Sequence, residues 1–398
     1  MLHVKIKQVL LWGAKKRLCL FVLSFILCVI LLCIIIYNFE YRPEDSLLFE
    51  YRSFSTLGNS NVETCISGGD TSVKYIWEKT KGIETLHYYQ IARLTSLFVA
   101  IDSPLVLSIA WNLWERPVCK DEWIAALKFN NYYNDSAYLS KKLMGAYILA
   151  RRGMLPKSEI DFLKYTLSFY QSMNDKDSFF WHPINPPFMF SALSLAYTEK
   201  EIFFSYIKEV FVKILNTHSD IYAINFPSGI IECCAISRDD SSIIYLRELL
   251  TKSFPGDYTN NYNRENDIAP RLLRALILLG DYSSLSIYLE RCQASVLLSK
   301  SESDRHINIL EPLQCLSYLT DNKECKLLYE WQNWYDTKGK NFCLSNSAVN
   351  VLQREAEDYA VLSLYSDGAS GLINERFPIC FSNLQILRRT AIEGQTKN

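Results

Sequence analysis

The sequence predicts an all-α protein built from helical hairpins. Glycine and proline are scarce, at 14 and 12 of 398 residues, which argues against the many tight turns of an all-β sandwich. From about Glu84 onward the apolar residues recur at helical spacing, as Ile160, Leu163, Leu167 and Tyr170 do. Short polar turns interrupt this pattern at regular distances. Together these features favour pairs of helices as the repeating unit.

A transmembrane helix is predicted before the hairpins, because the stretch from Leu18 to Phe39 contains no charged residue. A helix of this length, at about 1.5 Å per residue, crosses a bilayer core of about 30 Å. Basic but no acidic residues precede it, so the positive-inside rule places residues 1–17 in the cytosol. The stretch ends without a small-residue cleavage site, which favours a signal anchor over a cleaved signal peptide.

We therefore expect a single-pass membrane protein that contacts the bilayer through residues 18–39. The bulk of the chain then lies on the extracytoplasmic side, in the periplasm, the cell exterior or an organelle lumen. Residues 40–83 are polar and aperiodic and are predicted to form a stalk or irregular lead-in. Residues 84–398 are predicted to form the helical-hairpin domain.

Composition excludes several classes of function. The 42 basic and 43 acidic residues nearly balance, which argues against a nucleic-acid surface. The sequence contains no phosphate-binding loop, dinucleotide fingerprint, serine-hydrolase elbow or zinc-protease motif. No cysteine pair or Cys/His cluster has the spacing of a zinc site, so neither a metal nor another cofactor is expected. Five cysteines lie in apolar, helical-looking stretches and are expected to be buried thiols: Cys233, Cys234, Cys292, Cys315 and Cys325.

The hairpins recur with a period of about 40–50 residues, which is typical of stacked helical repeats. Helix-start or turn residues mark the period at Ser103, Gly153, Thr198, Asp239, Asp281, Asp321 and Asp367, in steps of 50, 45, 41, 42, 40 and 46 residues. Thr198 with Glu201 has the pattern of a capping box. About six or seven hairpins then fill the domain. The alternative is an irregular all-α domain whose loops are evenly spaced.

Two architectures accommodate such hairpins. A closed α/α toroid arranges them in a ring with inner and outer helices, and six or seven hairpins are enough to close one. An open α-solenoid instead stacks them into a superhelix with a concave binding face.

The connections between hairpins are longer than the turns within them and carry more aromatic and polar residues. If hairpins alternate up and down, these connections gather at one end of the array, which we call the rim. Loops on a rigid scaffold often carry binding groups, and aromatic faces beside amide, carboxylate and guanidinium groups suit a carbohydrate. The candidate substrate-binding residues are Trp181, Asn185, Tyr262, Asn263, Arg264, Trp331 and Trp334.

Three residues are candidates for catalysis at the rim. Glu265 and Asp267 are close in sequence and provide the two carboxylates that glycoside hydrolysis requires. His182 lies in an aromatic, proline-rich segment and is a candidate general base. The structural alternatives are that Asp267 caps a following helix, that Glu265 is solvated, and that His182 and the tryptophans have packing roles.

This layout is similar in organisation to α/α-toroid enzymes that cut or modify polysaccharides from one rim of the ring, although no family motif matches residue by residue. The resemblance implies a membrane-anchored protein that binds and processes an envelope or extracellular polysaccharide, as a hydrolase, lyase or epimerase. The alternative is a non-enzymatic helical-repeat scaffold that binds an envelope protein or glycan.

Overall fold

The structure is a computed structural model and describes residues 23–31, 59–80, 88–115, 136–173, 186–217, 229–253, 269–298, 313, 315–322 and 324–362. Within these ranges every regular element is a helix, and none is a strand. The prediction of an all-α protein is confirmed.

The described residues form seven helical hairpins and one final helix. The pairs are α1 (Asn59–Gly68) with α2 (Asp70–Thr80), α3 (Tyr88–Ile101) with α4 (Pro104–Glu115), α5 (Ser136–Arg151) with α6 (Ile160–Met173), α7 (Pro186–Thr198) with α8 (Lys200–Thr217), α9 (Ile230–Ser237) with α10 (Ile243–Lys252), α11 (Ala269–Leu278) with α12 (Ser284–Leu298), and α13 (residues 315–320) with α14 (Leu328–Thr337), and α15 (Asn346–Leu362) follows them. Short 3₁₀ segments, Lys157–Glu159 and Asp240–Ser242, lead directly into α6 and α10.

Six of the residues that mark the period in the sequence lie at the turns within these hairpins. They are Ser103, Gly153, Thr198, Asp239, Asp281 and Asp321. The seventh, Asp367, lies outside the described residues. The short turns therefore lie at one end of the hairpins, which we call the turn end, while the helix ends that lead into the long connections lie at the other.

A left-handed backbone conformation ends the first helix in six of the seven described hairpins. The residues and their φ values are Gly69 (54°), Asp102 (53°), Gly153 (65°), Arg238 (52°), Gly280 (82°) and Asp321 (53°). A residue in this conformation just after a helix turns the chain back and satisfies terminal carbonyl groups. At Gly280, for example, the backbone N–H donates to the Ile277 carbonyl over 3.0 Å. The hairpins thus share one mechanism of reversal.

The capping box predicted at Thr198 is not formed. Its hydroxyl instead donates to the Ser194 carbonyl at 2.9 Å, which makes Thr198 the last residue of α7. The reason is that α7 extends through Thr198, so the N-cap position of α8 falls to Glu199, whose carbonyl accepts from the Phe203 N–H at 2.9 Å. Side-chain caps do occur elsewhere: Ser103 Oγ accepts from the Val106 N–H at 3.3 Å, and Asp239 Oδ1 accepts from the Ser241 N–H at 3.0 Å.

The helices pack as two layers with α15 on the inner side. The first helices of successive hairpins, α3, α5, α7, α9 and α11, contact one another in order. The second helices α6, α8, α10, α12 and α14 contact one another in the same order. Helix α15 packs against α3, α7, α9 and α11. Helix α15 thus packs across the row of first helices, on the face that we call the inner face.

Part of the predicted irregular lead-in is helical, so the assignment of residues 40–83 to a stalk is wrong for residues 59–80. Helices α1 and α2 form a hairpin there and pack on α3 and α4. Cys65, Val73 and Ile76 are each 0% exposed and belong to the core. Gly69 lies at the turn of this hairpin, in the left-handed conformation.

Only residues 23–31 of the predicted transmembrane segment are described. They are helical, and large apolar side chains such as Leu23, Phe25 and Leu27 are exposed. Among the residues that the structure describes, no helix is both long enough and apolar enough to cross a membrane.

Replacing Gly280 by alanine is expected to destabilise the protein by about 1–2 kcal/mol, the cost of holding an L-residue in the left-handed conformation. No atom lies within 4 Å of the position of the added Cβ, so a steric clash does not contribute. Gly280→Asn is the matched control. Because asparagine tolerates this conformation, this variant should lose much less stability than Gly280→Ala. Urea unfolding measures both variants. Equal losses would contradict the backbone explanation.

Candidate functional site

Most of the sequence-predicted site residues lie outside the described residues. These are the candidate catalytic residues Glu265, Asp267 and His182, and the candidate binding residues Trp181, Asn185, Tyr262, Asn263 and Arg264. They belong to two connections, the one between α6 and α7 and the one between α10 and α11. The described ends of these four helices, at Met173, Pro186, Lys252 and Ala269, all lie opposite the turn end.

Trp331 and Trp334 are placed in helix α14, whereas the sequence pattern suggested a connection. Trp331 is 0% exposed, and its ring meets Trp334 edge-on with a centroid distance of 5.3 Å. Trp334 also packs edge-on against Phe342 at 5.9 Å. A fully buried indole offers no face to a sugar, so Trp331 is a core residue in this structure. The amide and aromatic pattern resembled a loop, but its apolar side chains follow one helical face.

The most highly organised polar cluster of the described residues surrounds the carboxylate of Glu357 on α15. This side chain is only 3% exposed. Arg151 Nε donates to its Oε2 at 2.7 Å, and Tyr147 Oη donates to the same oxygen at 3.4 Å. Tyr197 Oη donates to Oε1. Arg354, one turn earlier on α15, contacts Oε2 at 3.5 Å. Four side chains from three helices therefore contact one carboxylate.

The positions of these groups follow from helix geometry. Tyr147 and Arg151 are four residues apart on α5, so both point from the same face. Tyr197 lies next to the end of α7, which packs against α5. The Tyr147 ring stacks on Phe190 at a centroid distance of 6.1 Å and lies 6.3 Å from the Tyr197 ring. The aromatic contacts hold the two phenol groups in place.

Electrostatics fixes the protonation of the groups around Glu357. Burial, reinforced by the nearby Glu357 carboxylate, raises the pKa of Tyr147 and of Tyr197 well above the ordinary value for tyrosine. Both phenols are therefore protonated donors. Burial alone would lower the pKa of Arg151, but the attraction of Glu357 outweighs it and raises that pKa. The cluster is built to hold a carboxylate, and none of its phenols is prepared to act as a base.

A second buried carboxylate, Glu232 on α9, lies between two arginines of α11. Arg271 binds it through two parallel hydrogen bonds of 2.8 Å each, and Arg274 Nη2 donates to Oε1 at 3.1 Å. Burial would raise the pKa of Glu232, but the two guanidinium groups outweigh burial and lower it. The ion pair couples the neighbouring hairpins α9–α10 and α11–α12.

The two thiols beside Glu232 are poorly suited to nucleophilic catalysis and to metal binding. Cys233 and Cys234 are fully buried, as the sequence predicted. Burial and the nearby negative charge raise the pKa of both thiols, and a protonated buried thiol is a poor nucleophile and a poor metal ligand. Within the part of the chain that the structure describes, no three His, Cys, Asp or Glu side chains are grouped so that they could hold a metal ion.

A third ion pair closes the turn between α11 and α12. Asp281 accepts hydrogen bonds from Arg247 of α10 and from the hydroxyls of Ser283 and Ser284. Burial opposes the charge, but these donors together lower the pKa of Asp281. The role of this group is structural, because it anchors one hairpin turn to the preceding hairpin.

No protein-family model, curated protein or solved structure matches this chain.

Glu357→Ala is expected to lower the free energy of unfolding by about 3–5 kcal/mol, because it removes the acceptor shared by the largely buried donors Arg151, Tyr147 and Tyr197. Glu290→Gln is the matched control on the exposed side of α12 and should change stability by no more than about 0.5 kcal/mol. Urea unfolding followed by circular dichroism measures both. A loss below about 1 kcal/mol for Glu357→Ala would show that the carboxylate does not organise the inner face.

The stability of the protein is expected to fall as the pH drops below about 4.3, the ordinary pKa of glutamate. A lowered pKa means that the folded state favours the ionised Glu232, so its contribution is complete above the ordinary pKa and is lost as the pH falls through the folded-state pKa. Glu232→Gln should flatten the dependence of the unfolding free energy on pH between about pH 5 and pH 3. Glu290→Gln should leave that slope unchanged, and an unchanged slope in Glu232→Gln would refute the assignment.

Proposed function

We propose that this chain is a membrane-anchored helical-repeat protein that binds an envelope or extracellular polysaccharide at the rim. The observation that carries the proposal is the position of α15. This helix covers the inner face of the hairpin array, which is where an open helical repeat ordinarily binds its ligand. With that face covered, the long connections at the rim are the remaining place for a large ligand.

The residue types of the rim connections support a sugar as the ligand. They combine Trp181 and Tyr262, whose rings can stack on a pyranose, with Asn185, Asn263 and Arg264, which can satisfy its hydroxyl groups. The described hairpins supply a rigid base for these segments, because their turns, ion pairs and cores fix the helix ends from which the connections start.

The membrane anchor is part of the same proposal. The uncharged stretch of residues 18–39 supports it, as do the exposed apolar side chains of the described helix within it, because such side chains are stabilised by lipid. The hairpin domain then lies on the extracytoplasmic side, close to a polysaccharide assembled at that membrane.

The closed α/α toroid is the architecture that we propose in preference to an open α-solenoid. Its support is the contact of α15 with both α3 and α11, which belong to the second and sixth described hairpins. An array that curves towards itself would bring hairpins so distant in sequence within reach of one helix.

A catalytic form of this function is the second candidate. The sequence observation that favours it is the pair Glu265 and Asp267 in one long connection, with His182 in another. In that form Glu265 and Asp267 act as the acid and the base or nucleophile of glycan cleavage, and His182 acts as a general base. Binding and cleavage are separable, so one set of variants tests both.

Full-length protein extracted from membranes with detergent is expected to bind acidic or neutral glycans on an array. Trp181→Ala and Tyr262→Ala should each weaken binding at least about tenfold, since truncating a binding hot spot costs about 2 kcal/mol or more. Tyr329→Ala, which removes an exposed aromatic ring on α14, is the matched control and should bind normally. Absence of glycan binding, or recovery of the chain without membranes, would overturn the proposal.

The catalytic form predicts that the bound glycan gains new reducing or unsaturated ends over time. Glu265→Gln and His182→Ala should then stop the reaction while binding persists. If the wild-type protein binds a glycan and leaves it intact, the non-enzymatic form is correct.

A further inference from the structure

We propose that the inner face contains a binding site for an external carboxylate, and that Glu357 of the chain's own α15 occupies this site in the structure. The site consists of Arg151, Tyr147 and Tyr197. This inference is independent of glycan binding at the rim, because it concerns different residues on a different face of the hairpins.

The donors and the acceptor belong to parts of the chain that are distant in sequence. Arg151 and Tyr147 on α5 precede Glu357 by 206 and 210 residues, and Tyr197 at the end of α7 precedes it by 160. The two helices that carry the donors contact each other directly. The donor set is therefore complete without α15, and the carboxylate is supplied by a separate element.

Contacts that do not involve α15 help to hold Arg151 and Tyr147 in place. Arg151 Nη1 lies 3.9 Å from Asp102 Oδ1, in the turn between α3 and α4, and Arg152 binds the same carboxylate. The Tyr147 ring is held by stacking on Phe190 of α7. A site whose donors are already fixed loses little conformational entropy when it binds a ligand.

Both apolar and polar contacts attach helix α15 to the inner face. The buried apolar side chains described on it are Leu352, Ala356, Ala360 and Val361. Its polar contacts include those of Glu357 with the donors on α5 and α7, and that of Gln353, which accepts from Arg238. The carboxylate of Glu357 is thus one of several groups that attach α15.

The chemistry of the site selects the class of ligand. One guanidinium group and two phenol hydroxyls can direct several donors and a single positive charge at one ligand, which match a planar monoanion. A carboxylate is such a group, and Glu357 shows how it fits. The ligand source is either a small carboxylic acid or the uronate unit of an acidic glycan, and both present the same group to Arg151.

The test uses full-length Glu357→Ala protein, in which the site is vacant, with sodium acetate compared against sodium chloride at equal ionic strength. Acetate should raise the thermal unfolding temperature in a saturable manner, and the wild-type protein should require at least about tenfold more acetate, because its own carboxylate competes. Adding Arg151→Met to Glu357→Ala should abolish the acetate effect. If Glu357→Ala does not fold, Glu357→Gln replaces it in the same comparison.

Two further measurements complete the test. Sodium glucuronate, with glucose as the neutral control, identifies a uronate as the ligand if it acts at lower concentration than acetate, and a small carboxylic acid if it does not. In the wild-type protein, saturating ligand should accelerate hydrogen exchange of the α15 amides, because the ligand replaces Glu357. Acetate that acts no better than chloride on both Glu357 variants would overturn the inference, and glycan binding through Trp181 and Tyr262 would be unaffected by that result.

Discussion

Burial of the Glu357 carboxylate is the constraint on which the arrangement of the inner helices depends. Removing a carboxylate from water costs several kcal/mol unless charged donors replace the water. Glu357 meets this requirement only where α5, α7 and α15 come together, because Arg151 and Tyr147 lie on α5 and Tyr197 lies on α7. A shift of any one of these helices would separate a buried charge from its partner, so the cluster fixes their relative positions.

The second constraint on the fold comes from the hairpin turns, which repeat one backbone geometry along the chain. A left-handed residue ends the first helix of nearly every described hairpin, so each chain reversal brings the second helix back along the first in a similar way. Successive hairpins can then stack with their first helices in one layer and their second helices in another. Asp102 serves both constraints, since it occupies one such turn and also pairs with Arg151.

The local features of the fold could be predicted from the sequence, and the long-range ones could not. The turns at Gly153 and Asp281 were visible because glycine and helix-start residues act over a few residues. The sequence pattern assigned Trp331 to a connection because tryptophan and asparagine occur both in loops and on half-buried helices. Only the packing of Trp331 against Trp334 distinguishes the helix from a loop. No local sequence pattern predicts the contact of Glu357 with Arg151, because this contact joins residues that are 206 positions apart.

The position of α15 connects the two ends of the hairpin array. Arg151 is the last residue of α5 and lies at the turn end, whereas Ala360 of α15 approaches Gly229 at the start of α9, where a long connection enters. A carbon atom added at Gly229 would lie 3.1 Å from the Ala360 Cα atom, so the two backbones are in close contact. Helix α15 is therefore attached at two places, to α5 and α7 through Glu357 and to the start of α9 through the backbone at Ala360. Its position is fixed jointly by a polar contact with one pair of helices and by close backbone packing against another.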